Sequence, residues 1–89
     1  MTRNAENRDM SPARKEPDTR IYSGRFAARL RMLREKAGVS HEEVAVKLGI
    51  TVRTVYKWEQ GIHFPTPDQL PLLKELFGLK TVQALFPKE

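Results

Sequence analysis

Residues 41–60 read HEEVAVKLGITVRTVYKWEQ, and this stretch decides the fold. Ser40 and Glu43 form an S-x-x-E capping box, which predicts a helix beginning at His41. Val44, Ala45 and Leu48 recur at helical spacing and give that helix one apolar face. Gly49 follows the last apolar residue, where helices commonly end with positive φ. Thr51 caps a second helix, whose apolar positions Val55 and Trp58 lie three apart before Gly61 stops it. Ala45 is small where two helices must approach closely. Two short helices joined by a tight glycine-containing turn make a helix-turn-helix, whose second helix commonly enters the DNA major groove.

Outward from this pair, the flanks also read as helices. Ser23 is a candidate N-cap for a helix running to Ala37, with Gly38 past its end. Within it Phe26, Leu30, Leu33 and Ala37 make an apolar stripe, and Arg25, Arg29, Arg31 and Lys36 lie largely off it. A basic amphipathic helix can also lie on a membrane or meet calmodulin. Here the apolar face is narrow and the next two helices need a partner, so core packing is the better reading. On the other side, Thr66 and Pro67 resemble an N-cap with proline at the first helical position, and Leu70, Leu73, Leu76 and Phe77 supply a core face. Pro71 conflicts with an early start, since it removes a backbone donor; the first turn is then loose or begins late. Thr81 begins a last short helix through Phe86. The expected class is all-α, with five helices.

Composition sets the frame around these elements. Eighty-nine residues suit one domain, and 39% apolar content supports a small core. A domain of about 65 residues buries only about 60% of its unfolded surface, so dimerisation would help its stability. Cysteine is absent, which excludes disulfides and thiolate metal sites. No apolar run reaches signal-peptide or membrane-spanning length, so a cytoplasmic protein is expected. The net charge is +5, and residues 21–89 carry eleven basic and seven acidic side chains. That excess fits a nucleic-acid partner without requiring one. Residues 1–20 contain two prolines, mixed charges and few apolar groups, and read as a disordered tail ahead of a domain at 21–89. An arm laid along DNA through Arg14, Lys15 and Arg20 is the alternative to an inert extension.

The segment FAARLRMLREKAGVSHEEVAVKLGITVRTVYKWEQG resembles the Cro and cI repressor type of helix-turn-helix domain, the XRE family. The family pattern is an LRxLRxxxGxS lead-in, a helix with Leu/Val-Ala, a glycine turn and a W-E-x-G ending. It is matched at Leu30-Arg31, Leu33-Arg34, Gly38, Ser40, Val44-Ala45, Gly49, Val55, Trp58-Glu59 and Gly61. PTPDQLPLLKELFGL resembles the family's fourth helix and TVQALF its ending, so the likeness spans residues 23–86. It implies a compact five-helix, lambda-repressor-like DNA-binding domain.

Helix three is where a base sequence would be read. Thr51, Val52, Arg53, Thr54, Tyr56 and Lys57 all lie off the Val55–Trp58 face. Arg53 has the fork that grips guanine O6 and N7, and Val52 suits a thymine methyl. The resemblance implies base contacts from Val52, Arg53 and Lys57, and phosphate contacts from Thr51, Thr54 and Gln60. Tyr56 joins either set; we group it with the base readers. The family usually has Gln at the first position of helix two, bracing a phosphate. His41 stands there, and an imidazole N–H suits the same contact, more so when protonated; an exposed residue without a role is the equal alternative. The resemblance also implies an Arg34–Glu59 ion pair tying helix one to helix three, with Arg34 able to touch a phosphate. HEEVA is superficially like the zinc motif H-E-x-x-H, but Ala45 stands where the second histidine must be, so no metal is expected.

The expected function is a sequence-specific double-stranded DNA-binding regulator, a repressor acting as a homodimer on a palindromic operator. The alternative is an antitoxin that binds a toxin and represses its own operon, using residues 1–20 or 79–89. A helix-turn-helix that only meets proteins would present an apolar face, which Arg53 and Lys57 oppose. No nucleophile–base pair, phosphate-cradling loop or cofactor motif points to an enzyme. Leu79, Val82, Leu85 and Phe86 either form a two-fold contact or complete the monomer core.

Overall fold

The computed structural model describes residues 16–88. The chain forms α1 (Tyr22–Ala37), α2 (His41–Leu48), α3 (Val52–Gln60), α4 (Leu70–Leu76) and a closing 3-10 turn (Val82–Leu85). The class is all-α, and what was expected as a fifth α-helix is this single tight turn. Thr81 stands before it in extended conformation, but its side chain makes no capping bond. No described helix is long and apolar enough to cross a membrane.

The central pair is built by its caps. Ser40 Oγ accepts the Glu43 N–H at 3.0 Å, and Glu43 Oε1 accepts the Ser40 N–H at 2.7 Å. Two of the four orphan donors at the start of α2 are thereby satisfied. At its other end Gly49 adopts φ +70°, and Ile50 N–H returns to Ala45 O at 3.0 Å. A side chain at Gly49 would meet nothing within 4 Å, so the turn selects glycine for its backbone conformation and not for space. Thr51 Oγ1 then accepts the Thr54 N–H at 3.2 Å and starts α3 two residues after that turn.

One core serves every element. Phe26, Leu30 and Leu33 of α1, Val44 and Ala45 of α2, and Val55 and Trp58 of α3 are buried together with Leu73, Phe77 and Leu85. Of the residues left open between a two-fold contact and the core, Leu85 is fully buried, while Leu79, Val82 and Phe86 pack against the same cluster. Phe86 lies on Phe26 with ring centroids 5.3 Å apart. Leu85 thus completes the monomer core, and the other three cover its edge while staying partly exposed.

Two helix starts differ from expectation. Ser23 sits inside α1, which begins at Tyr22 behind an extended Ile21 that makes no side-chain capping bond. A turn does the work of a cap: Ile21 N–H reaches Asp18 O at 3.3 Å, and Asp18 Oδ1 accepts the Arg20 N–H at 3.0 Å. The Arg20 guanidinium beside Asp18 also holds that carboxyl below its usual range. At the other site, α4 begins at Leu70 rather than at Pro67. Thr66 N–H donates to Gln69 Oε1 at 2.8 Å and Gln69 N–H donates to Thr66 O at 2.9 Å, closing a turn ahead of the helix. The late start puts Pro71 in the first helical turn, where a missing N–H deprives the helix of nothing.

Of the expected tail, residues 1–15 lie outside the described residues. Residues 16–20 run against α1, where a Cβ on Gly24 would come within 1.7 Å of Asp18 O. Gly24→Ala is therefore expected to push this lead-in off the helix at a cost of about 1–3 kcal/mol. Thermal unfolding reads it as a Tm lowered by roughly 4–8 °C per kcal/mol, and an unchanged Tm would refute the close approach.

Candidate nucleic-acid interface

Helix α3 turns Val55, Trp58 and Glu59 inward. Its other positions form the outer face, on which Arg53, Tyr56 and Lys57 are neighbours at spacings of three and four. Arg53 is exposed and makes no hydrogen bond or ion pair with another described residue. Tyr56 and Lys57 are half-buried. Val52 differs from the sequence reading, in which the apolar pattern had no need of it. Its side chain is half-buried and packs against the core cluster, so only part of it is available to a ligand. Thr51 and Thr54 sit at the start of the helix with their hydroxyls 3.0 Å apart. Gln60 is half-buried at its end.

Beneath this face lies a buried ion cluster. Arg34 Nε donates to Glu59 Oε2 at 2.6 Å, and its Nη2 reaches Glu59 Oε1 at 3.4 Å. Nη1 donates to Val39 O at 2.9 Å. Arg34 and Glu59 are only 9% and 3% exposed, and all three guanidinium nitrogens have partners inside the domain. That accounts for Arg34 as a structural tie between α1 and α3. Glu59 is the only acid in α3, so the outer face of that helix carries cations alone.

His41 lies on the same cluster. Its Nε2 is 3.1 Å from Glu59 Oε1, and its ring sits 4.4 Å from that of Tyr56. The sequence reading weighed a phosphate contact equally against an exposed residue without a role; in the structure Nε2 faces Glu59. Sequence reasoning also missed Arg31, whose Nε stands 3.7 Å from Glu59 Oε1. The signal was available, because Arg31 is one helical turn before Arg34 and shares its side of α1. No comparable signal links His41 to Tyr56 or Glu59; they are fifteen and eighteen residues apart and meet only through the crossing of α2 and α3.

The arrangement is a capped helix with a cationic outer edge, its one carboxylate paired from below. Such an edge fits a groove lined by phosphates and base acceptors.

Comparisons with known proteins agree with the geometry. The chain is similar to the restriction-modification controller protein C.AhdI from Aeromonas hydrophila, with 25% identity and a TM-score of 0.63 over 78% of this chain and 100% of that one. It is also similar in fold to the hypothetical transcription factor NHTF from Neisseria, with 20% identity and a TM-score of 0.65 over 82% of this chain and 83% of that one. No curated protein matches it. The model of the family described as helix-turn-helix domain matches residues 25–85. The chain therefore belongs to the helix-turn-helix domain family, in its Cro and cI repressor-like (XRE) form.

Proposed function

We propose that this protein is a sequence-specific double-stranded DNA-binding transcriptional regulator that lays α3 in the major groove and represses from a palindromic operator as a homodimer. The observation that carries the reading is the outer edge of α3, where exposed Arg53 stands beside Tyr56 and Lys57 above a carboxylate already paired. Arg53 has the geometry to bind guanine in bidentate fashion. Tyr56 and Lys57 flank it toward the same groove, and the exposed part of Val52 suits a thymine methyl. Thr51, Thr54 and Gln60 border the edge at the two ends of the helix, within reach of phosphates. The similarity to a controller protein and to a transcription factor fold supports the same role. With Leu85 and its neighbours committed to the core, exposed Ile62 and Phe64 after α3 are the apolar residues that suit a two-fold contact. Sedimentation of the wild type against Phe64→Ser tests that contact.

Selection from random-sequence duplexes tests the main reading. One family of related sequences is expected to be enriched over competitor DNA. Binding to the recovered duplex is expected to weaken steeply between 50 and 200 mM salt, because phosphate contacts release counterions. Recovery of unrelated sequences at background frequency would defeat the proposal.

A further inference from the structure

We propose that Arg31 of α1 binds a backbone phosphate of the DNA, and that the Glu16 carboxylate occupies this place until a duplex displaces it. The inference rests on the DNA-binding reading above. It adds an anchoring residue outside α3 and a contact of the chain's own lead-in that competes for it.

Two guanidinium groups of α1 face the single carboxylate of Glu59. Arg34 meets it at 2.6 Å and is buried with it, whereas Arg31 Nε stands off at 3.7 Å. The closer pair already compensates Glu59, so the charge of Arg31 is surplus within the cluster. Glu35, largely exposed and 3.8 Å from Arg34, offsets little of it. The free protein balances the surplus from outside: Arg31 Nη1 donates to Glu16 Oε1 at 2.9 Å, where the glutamate side chain is 70% exposed. An anion thus already sits on the outer side of this guanidinium, held by an N–H that reaches the surface. A phosphodiester presents the same kind of charged oxygens, and a guanidinium fork matches phosphate as well as carboxylate.

The place lies beside the reading edge. Arg31 Nε and His41 Nε2 approach the same oxygen, Glu59 Oε1, and the His41 ring stands 4.4 Å from that of Tyr56 on the outer face of α3. Arg31 therefore reaches the corner where α1, the start of α2 and α3 meet. A duplex that receives α3 in its groove brings the flanking phosphates to that corner. Glu16 is the weak member of the arrangement, because an exposed ion pair shifts an equilibrium by no more than about fivefold. The lead-in that carries it is held to α1 independently, by Arg25 Nη1 on Thr19 O at 3.3 Å and by the Asp18 turn over Gly24. The carboxylate can leave without opening a helix, while Glu59 keeps Arg31 oriented.

The test is a double-mutant cycle on the full chain, with Kd measured by anisotropy on the selected duplex and on a scrambled one between about 50 and 200 mM salt. Arg31→Gln is expected to weaken binding to both duplexes alike, by about three- to tenfold, and to lower the slope of log K against log salt by about 1. Arg31→Lys, which keeps the charge, is expected to keep the wild-type slope. Glu16→Gln is expected to tighten binding by about two- to fivefold in the wild-type chain and by less than about 1.5-fold beside Arg31→Gln, where the carboxylate has nothing to compete for. Equal effects of Glu16→Gln in the two backgrounds would show that it acts through net charge alone and would overturn the inference. An unchanged slope for Arg31→Gln, or a slope lowered equally by Arg31→Lys, would overturn it too. Each of these results leaves DNA binding by α3 intact. Absence of binding to any duplex would instead remove the DNA reading, and this inference with it.

Discussion

Arg34→Met is expected to cost about 3–5 kcal/mol of folding stability, because removing one partner of a buried ion pair leaves the other charge uncompensated. Glu59 is 3% exposed and cannot regain water without opening the contact between α1 and α3. His41 at 3.1 Å and Arg31 at 3.7 Å remain near its Oε1, which places the cost toward the lower end of that range. Set against the roughly 5–15 kcal/mol that holds a typical domain together, the loss is large. Urea unfolding of the single variant measures it. The double variant Arg34→Met with Glu59→Leu is expected to recover most of the stability, since apolar replacement of both partners removes the desolvation penalty with the attraction. A single variant that loses less than about 1 kcal/mol would show that the pair is an ordinary surface contact.

Arg53→Ala is expected to erase sequence preference rather than binding as such. A bidentate arginine–guanine contact discriminates by about 1–3 kcal/mol, or roughly 5- to 150-fold between the correct base and a wrong one. The variant is expected to lose affinity by about that factor on the selected duplex. On a scrambled duplex it loses only the smaller share due to one cation fewer. Arg53→Lys restores the charge but not the fork, so it recovers salt-dependent binding and not discrimination. Equal losses on the two duplexes would assign Arg53 to the phosphate backbone. The stability of the variant is expected to match wild type, because Arg53 is exposed and makes no hydrogen bond or ion pair with another described residue.

Much of this molecule is legible in its sequence because its helix-turn-helix is built from local interactions. Ser40, Glu43 and Thr51 satisfy helix donors within three residues, and Gly49 supplies a backbone conformation that depends on no distant partner. The periodicity of Phe26, Leu30 and Leu33, and of Val55 and Trp58, selects the buried faces for the same reason. The start of α1 was misread where a cap is not a side chain: Ser23 has the right chemistry, but the Asp18 turn reaches the backbone first. Pro71 was the legible warning at α4. The sequence raised the conflict without resolving it, and the turn at Thr66–Gln69 resolves it by delaying the helix.

The sequence by itself determined the all-α class, the two central helices, the glycine between them and the polar outer edge of α3, all properties fixed within a few residues. Tertiary structure alone decided the long-range terms. It turned His41 toward Glu59 and Tyr56, brought Arg31 to the same carboxylate, drew Val52 partly into the core and committed Leu85 and Phe86 to the monomer. Each of these depends on where two helices cross. A crossing angle is set by the packing of many side chains at once, which spacing along one chain does not encode.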